Sequence, residues 1–236
     1  MSKKRFLLFL LAWLFLIGGT ANAAISTQTQ SFSGIPNLSG SSTFNQFNTA
    51  LGTLTSIQVL LYLETYGGQL ILDNDSTSPA SGTFQFGSVG KLNATDVALF
   101  DSSFQPIPGQ VNAYHSQAFS LAADNGDGLH NYDPTGPDGL SYIGDLEGGV
   151  KFGFVGSTFW AAGTKGFLGT GTFNVNYAID QWVDYGGIGG IEYAVTPPNI
   201  SGHVTIAYTY NPVPEPATIG LLTIGAFAAL RRNRRK

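Results

Sequence analysis

The sequence predicts an all-β fold, a single antiparallel sandwich with Greek-key or jelly-roll connections. Three observations carry that expectation. Short runs rich in Val, Ile, Thr, Tyr and Phe alternate polar and apolar positions, as half-buried strands do. The chain holds 31 glycines in 236 residues, and they interrupt these runs often enough to keep strands short and turns many. No interior segment carries an extended apolar stripe at helical spacing with caps, and no fixed-period repeat suggests a propeller or solenoid.

Taken in order, a Ser/Thr/Gln-rich lead-in (26–42) precedes the first strong run. Residues 57–64 (IQVLLYLE) and 69–73 (QLILD) flank Thr65-Tyr66-Gly67-Gly68, which reads as a hairpin with glycines where φ turns positive. Shorter runs follow at 83–86 and 96–100, a loosely alternating one at 110–121, and VKFGFV at 150–155. The clearest pair is 171–179 (GTFNVNYAI) and 203–210 (HVTIAYTY), with a shorter run at 190–195. In the last strand Val204, Ile206 and Tyr208 share one face, expected to point inward because Thr205, Ala207 and Thr209 are smaller and more polar.

The two ends read as addresses. Lys3, Lys4 and Arg5 precede the apolar run 6–17, and Ala21-Asn22-Ala23 supplies the small-x-small pattern of a signal peptidase site. Residues 1–23 are therefore expected to be a secretory signal peptide, cut before Ala24. At the other end Pro214-Glu215-Pro216 precedes the apolar stretch 217–230 and a basic tip, 231–236. About fourteen apolar residues span about 21 Å as a helix, short of the roughly 30 Å hydrocarbon core, so this is a marginal anchor with its basic tip on the cytoplasmic side.

Pro214, Glu215 and Pro216, the short hydrophobic helix and the Arg-rich terminus together resemble the PEP-CTERM sorting signal. That resemblance implies recognition by an exosortase, transient anchoring in the inner membrane, and removal of the tail (212–236) near the motif. It also implies a producer with an outer membrane and an exopolysaccharide programme. Between the addresses lies a body, 24–211. Its segment 44–60 (FNQFNTALGTLTSIQVL), the stretch 169–173 (GTGTF) and the closing run 202–210 resemble the choice-of-anchor E domain. That family implies a surface-sorted domain and brings no established activity.

Most positive charge sits in the two addresses. Without them the body keeps Lys91, Lys151 and Lys165 against fourteen carboxylates, a net charge of −11. Such a surface repels a polyanionic duplex, so nucleic-acid binding is excluded as a function class. The chain has no cysteine, which removes disulfides, thiolate nucleophiles and zinc–thiolate sites together. A body of this length can instead rest on one sizeable core.

One constellation carries candidate chemistry: Asp124-Asn125-Gly126-Asp127-Gly128, continuing through Asn131, Asp133, Asp138, Asp145 and Glu147. Hard oxygen ligands crowded into a glycine-rich loop suit Ca²⁺, with Asp124, Asp127 and Asp133 as candidate ligands. The spacing departs from the EF-hand pattern, and ordinary turn chemistry accounts for the same residues. Asp73-Asn74-Asp75 is a weaker version of the same signal. Trp182 and Tyr185 are candidates for a sugar-stacking platform, with core packing as the alternative. His115, His130 and His203 are scattered, and no nucleophile elbow, zinc-helix motif or phosphate loop is present. No residue is expected to be catalytic.

The expectation is thus a non-enzymatic structural or adhesive component of the cell surface or exopolysaccharide matrix. The alternative is a carbohydrate- or calcium-dependent binding module, and a glycan-processing enzyme comes third. Signal peptidase and exosortase are the expected processing partners.

Overall fold

The computed structural model describes residues 22–128 and 132–213. Eleven strands follow in order: β1 (Ala24–Gly34), β2 (Leu38–Asn45), β3 (Gly52–Tyr66), β4 (Gln69–Asn74), β5 (Ala80–Asn93), β6 (Val111–Leu121), β7 (Gly139–Ile143), β8 (Glu147–Phe154), β9 (Thr172–Asp184), β10 (Ile191–Thr196) and β11 (Asn199–Pro212). Residues 1–21 of the expected signal peptide and the tail beyond Val213, with its expected short hydrophobic helix, lie outside the described residues. Among those residues no helix is long and apolar enough to cross a membrane.

The strands form sheets with the orders β1-β11-β3-β8, β10-β4-β7 and β2-β9-β5-β6, and the paired strands are antiparallel. The first two are one bent layer. β3 continues into β4, β11 is entered from β10, and β7 runs on into β8, with all three breaks at one level. Register makes this plain, because Tyr66 pairs Asn199 on one side of the break and Gln69 pairs Thr196 on the other. Gly67 and Gly68 have φ of 67° and 73°, and a Cβ on Gly68 would lie 2.6 Å from the Pro198 nitrogen. Pro197 and Pro198 offer no N–H to a ladder, so pairing stops where the layer turns.

The predicted hairpin at residues 65–68 is therefore corrected. β3 and β4 do not pair with each other; the two glycines carry one strand round a corner. A hairpin and a corner need the same left-handed glycines, so composition cannot separate them.

Pairing is nested: β1 with β11, β2 with β9, β3 and β4 with β8 and β7, β5 with β6. That is one long hairpin rolled over itself, the jelly-roll arrangement of two Greek keys. Between the layers lie two apolar clusters. The larger joins Ile57, Val59, Leu61 and Leu63 of β3 to Val204, Ile206 and Tyr208 of β11, facing Phe173 and Val175 of β9. The smaller, beneath the bent part, packs Leu70 and Leu72 against Phe84, Phe86 and Phe119. The expected inward face of β11 holds, since Val204 and Ile206 are fully buried and Tyr208 nearly so.

Two stretches differ from expectation. The polar lead-in contains β1 and β2, which carry few apolar residues; β1 is an edge strand ordered by its ladder to β11. Residues 96–100 are a loop rather than a strand. Val97 and Leu99 drop into the core there, and Asp96 staples the loop, bonding Lys165 Nζ at 2.9 Å and the Asn174 N–H at 2.9 Å. The Lys165 ammonium and these donors hold the Asp96 carboxyl below its usual range.

Candidate functional site

The end of β4 delivers Asp73 and Asn74 into the interior, where both are buried. Asn74 acts as a clamp. Its amide nitrogen donates to the Ser78 carbonyl at 3.0 Å and to the Ala122 carbonyl, while its side-chain oxygen accepts from Ser76 N–H at 3.2 Å. Its backbone N–H donates to the Asp138 carbonyl at 3.0 Å. Asp124 N–H donates to Ser76 O at 2.8 Å, and Asp75 N–H to Gly190 O at 2.9 Å. These bonds tie together the loop after β4, the loop after β6 and the approach to β7.

The clamp gathers carboxylates from all three segments. Oxygens of Asp73, Asp75 and Asp127 lie within 4.8 Å of one another, as do those of Asp124, Asp127 and Asp138. Asp127 belongs to both groups. Asp138 is buried and already engaged, accepting from Asn125 N–H at 2.6 Å and from the Asn125 amide at 3.0 Å. Asp75 Oδ2 is buried without a hydrogen-bond partner in the protein.

Electrostatics follow from the crowding. Burial raises the Asp73 carboxyl above its ordinary range; the Asp133 N–H bond opposes this, and the charges of Asp127 and Asp138 add to it. Burial likewise raises Asp75, followed by the charges of Glu192, Asp73, Asp124 and Asp127. Like charges held this close favour a proton or a cation among them. An all-oxygen donor set with this spacing fits Ca²⁺, whose oxygen ligands sit 2.3–2.6 Å from the ion.

Of the three residues the sequence nominated, Asp124 and Asp127 are in the cluster and Asp133 is not a ligand within it. The Asp133 carboxylate closes its own turn, accepting from the Thr135 hydroxyl at 2.7 Å and the Thr135 N–H at 2.8 Å. Those bonds hold its carboxyl below the usual range. Its contribution is a backbone N–H to Asp73 Oδ2 at 2.9 Å. Asp73 and Asp75 join the cluster instead, from the stretch Asp73-Asn74-Asp75 in which the sequence shows a weaker version of the same signal. Asp145 and Glu147 lie elsewhere, bonded to Tyr142 and to His115.

Trp182 and Tyr185 do not form one platform. Trp182 stacks on Tyr114 with centroids 5.9 Å apart and donates its indole N–H to Gln85 at 2.8 Å. Tyr185 packs against the smaller core cluster and Tyr193. An offset of three along an extended chain sends side chains to opposite faces, so the two aromatics do not share one. Pro214, Glu215 and Pro216 lie outside the described residues.

Comparison with known proteins adds one functional match. Residues 212–236 match the family described as the PEP-CTERM protein-sorting motif. No curated protein matches the chain. Among solved structures, similarity extends to the STIV MCP, at 12% identity over 81% of this chain and 49% of that one, with a TM-score of 0.28. The infectious bursal disease virus VP2 subviral particle gives 13% identity over 90% and 50%, with a TM-score of 0.12. Turnip yellow mosaic virus gives 8% over 81% and 98%, with a TM-score of 0.18. The chain spans about half the length of the first two. Likeness this slight carries no argument about fold or role, and the jelly roll rests on the strand pairing alone.

Proposed function

We propose that this protein is a non-enzymatic structural or adhesive component of the cell surface, delivered by export and by exosortase removal of its tail. The observation that carries the reading is the sorting motif at 212–236, which implies an exported protein anchored transiently in the membrane before processing. The motif follows the body without a spacer. β11 ends at Pro212, and Val213 N–H still donates to Leu51 O at 3.1 Å. At the other end β1 opens at Ala24, the residue expected to be first after signal-peptide cleavage. A choice-of-anchor E body is consistent with β2, β3 and β11 falling on the segments that carry that resemblance.

Mass spectrometry of surface-extracted protein tests the reading. Peptides from the body should be present and peptides from 221–230 absent, whereas Glu215→Ala should retain them in the membrane fraction. Intact tail throughout the surface pool would refute exosortase processing.

A second reading, a calcium-dependent body, is supported by the convergence of five carboxylates and by the unpartnered Asp75 Oδ2. An ion would be held by Asp73, Asp75 and Asp127 or by Asp124, Asp127 and Asp138, and would lock together segments that Asn74 already joins.

A further inference from the structure

Residues directly paired across antiparallel strands point to the same side of a sheet. The outward side of β11, β3 and β8 can therefore be set out in rows. Ser201, Glu64 and Gly148 form one row, and His203, Tyr62 and Val150 the next. The Tyr62 and His203 rings stack at 5.0 Å with planes 26° apart. Glu64 accepts a bond from the Tyr62 hydroxyl and another from Ser201 Oγ at 3.2 Å. With Ser31 and Ser33 of β1, these residues line a shallow trough of about 450 Å³. Gly148 leaves the β8 end of the first row open, because it places no side chain beside Glu64.

Beyond the trough, the same side of β8 presents Val150, Phe152 and Phe154, each more than half exposed. The two phenylalanine rings meet edge to face at 6.0 Å. Three successive outward apolar side chains on an edge strand are a liability unless something covers them.

We infer that this face binds a neutral, hydroxyl-rich polysaccharide, which deepens the adhesive reading above and rests on it. A sugar ring has an apolar face of C–H groups and a rim of hydroxyls. Aromatic rings take the first, as Tyr62 and Phe152 can here, and a carboxylate with serine hydroxyls takes the second. Charge selects the class. The trough is lined by no lysine or arginine, and the body carries −11, so an anionic polymer meets repulsion and no counter-charge. A second copy joined by a two-fold axis through this face would bring two bodies of net charge −11 together.

Affinity electrophoresis of the protein purified from the surface pool tests this, in native gels containing a β-glucan, a mannan or a galactan, with alginate as the anionic control. At least one neutral polymer should retard the protein and alginate should not. Tyr62→Ala should weaken the retardation about tenfold. Gly148→Gln should weaken it too, by closing the row, and should keep the parent melting temperature, since a Cβ there meets only the Tyr62 hydroxyl at 3.8 Å. Unchanged migration in all three neutral gels, retention by alginate, or retardation indifferent to Tyr62→Ala would overturn the inference. So would a concentration-dependent dimer abolished by Phe152→Ser, which would give the face to a second copy. Tail-free protein at the surface that binds no glycan would sink this inference alone; a surface pool that binds glycan but keeps its tail throughout would sink only the processing route.

Discussion

Ile206→Ala set against Thr205→Ala measures what holds the sandwich together. Ile206 is fully buried, between Gln28 of β1 and Val59 of β3 in the ladder. Truncation to alanine removes three carbons at about 0.8 kcal/mol each, or about 2.4 kcal/mol of transfer free energy. The cavity left in a layer fixed on both sides adds to this, within the roughly 2–5 kcal/mol seen for such truncations. Thr205 lies on the outward side, its hydroxyl 2.9 Å from that of Thr29. Losing that exposed cross-strand pair costs about 0.2–1 kcal/mol. With a urea slope of about 2 kcal/mol/M, Ile206→Ala should lower the midpoint by about 1–2.5 M and Thr205→Ala by at most about 0.5 M. Equilibrium urea unfolding followed by tryptophan fluorescence gives both numbers. Equal shifts, or a larger one for Thr205→Ala, would refute the assignment of faces in β11 and the stability argument built on it.

Three further outcomes are expected. Calcium at a hundredfold excess over its dissociation constant should stabilise the body by about 2.7 kcal/mol, about 5–10 °C in melting temperature, and Asp127→Ala, common to both carboxylate groups, should erase the gain. Identical melting curves in calcium and in chelator would return the cluster to turn chemistry. In chelator, Asp75→Asn should flatten the dependence of stability on pH. The raised Asp75 carboxyl binds its proton more tightly in the folded state, so its contribution is complete below the ordinary value of 3.8 and is lost as pH rises through the raised one. An unchanged slope of melting temperature against pH would refute that assignment. Trp182→Ala removes the stack on Tyr114 and the bond to Gln85, and should cost about 2 kcal/mol, part of the loss for a fully buried tryptophan, while leaving glycan retention as it was. Lost retention with intact stability would move the sugar site to the other sheet.

What the sequence made legible depended on how locally each feature is encoded. The alternation in β3, β9 and β11 is visible because each strand is half buried along its own length. β1 escaped notice because its order comes from β11, at the far end of the chain. The bend at Gly67-Gly68 looked like a hairpin, since the local conformational demand is the same and only the partner differs. Asp124 and Asp127 were found from their shared loop. Asp73 and Asp75 come to them through long-range bonds of Asn74, which no spacing rule encodes, while Asp133 stays out of both groups, its carboxylate engaged by Thr135 two residues on. The exposed phenylalanines of β8 were read as strand residues, but their outward direction depends on which layer covers them.

The place of β11 governs the order in which the molecule can be completed. It lies between β1 and β3 and carries a large share of the main core, yet of the described strands it is synthesised last. An exported chain thus waits with two of its sheet edges bare until this segment has cleared the membrane. Contacts of such long sequence separation form slowly, and bare edges invite pairing with other chains. The residues that follow at once are those through which the tail is held. Tethering therefore coincides with the moment of closure, and a molecule cut loose before β11 has docked would enter its surroundings with both edges open and adhesive in the wrong way.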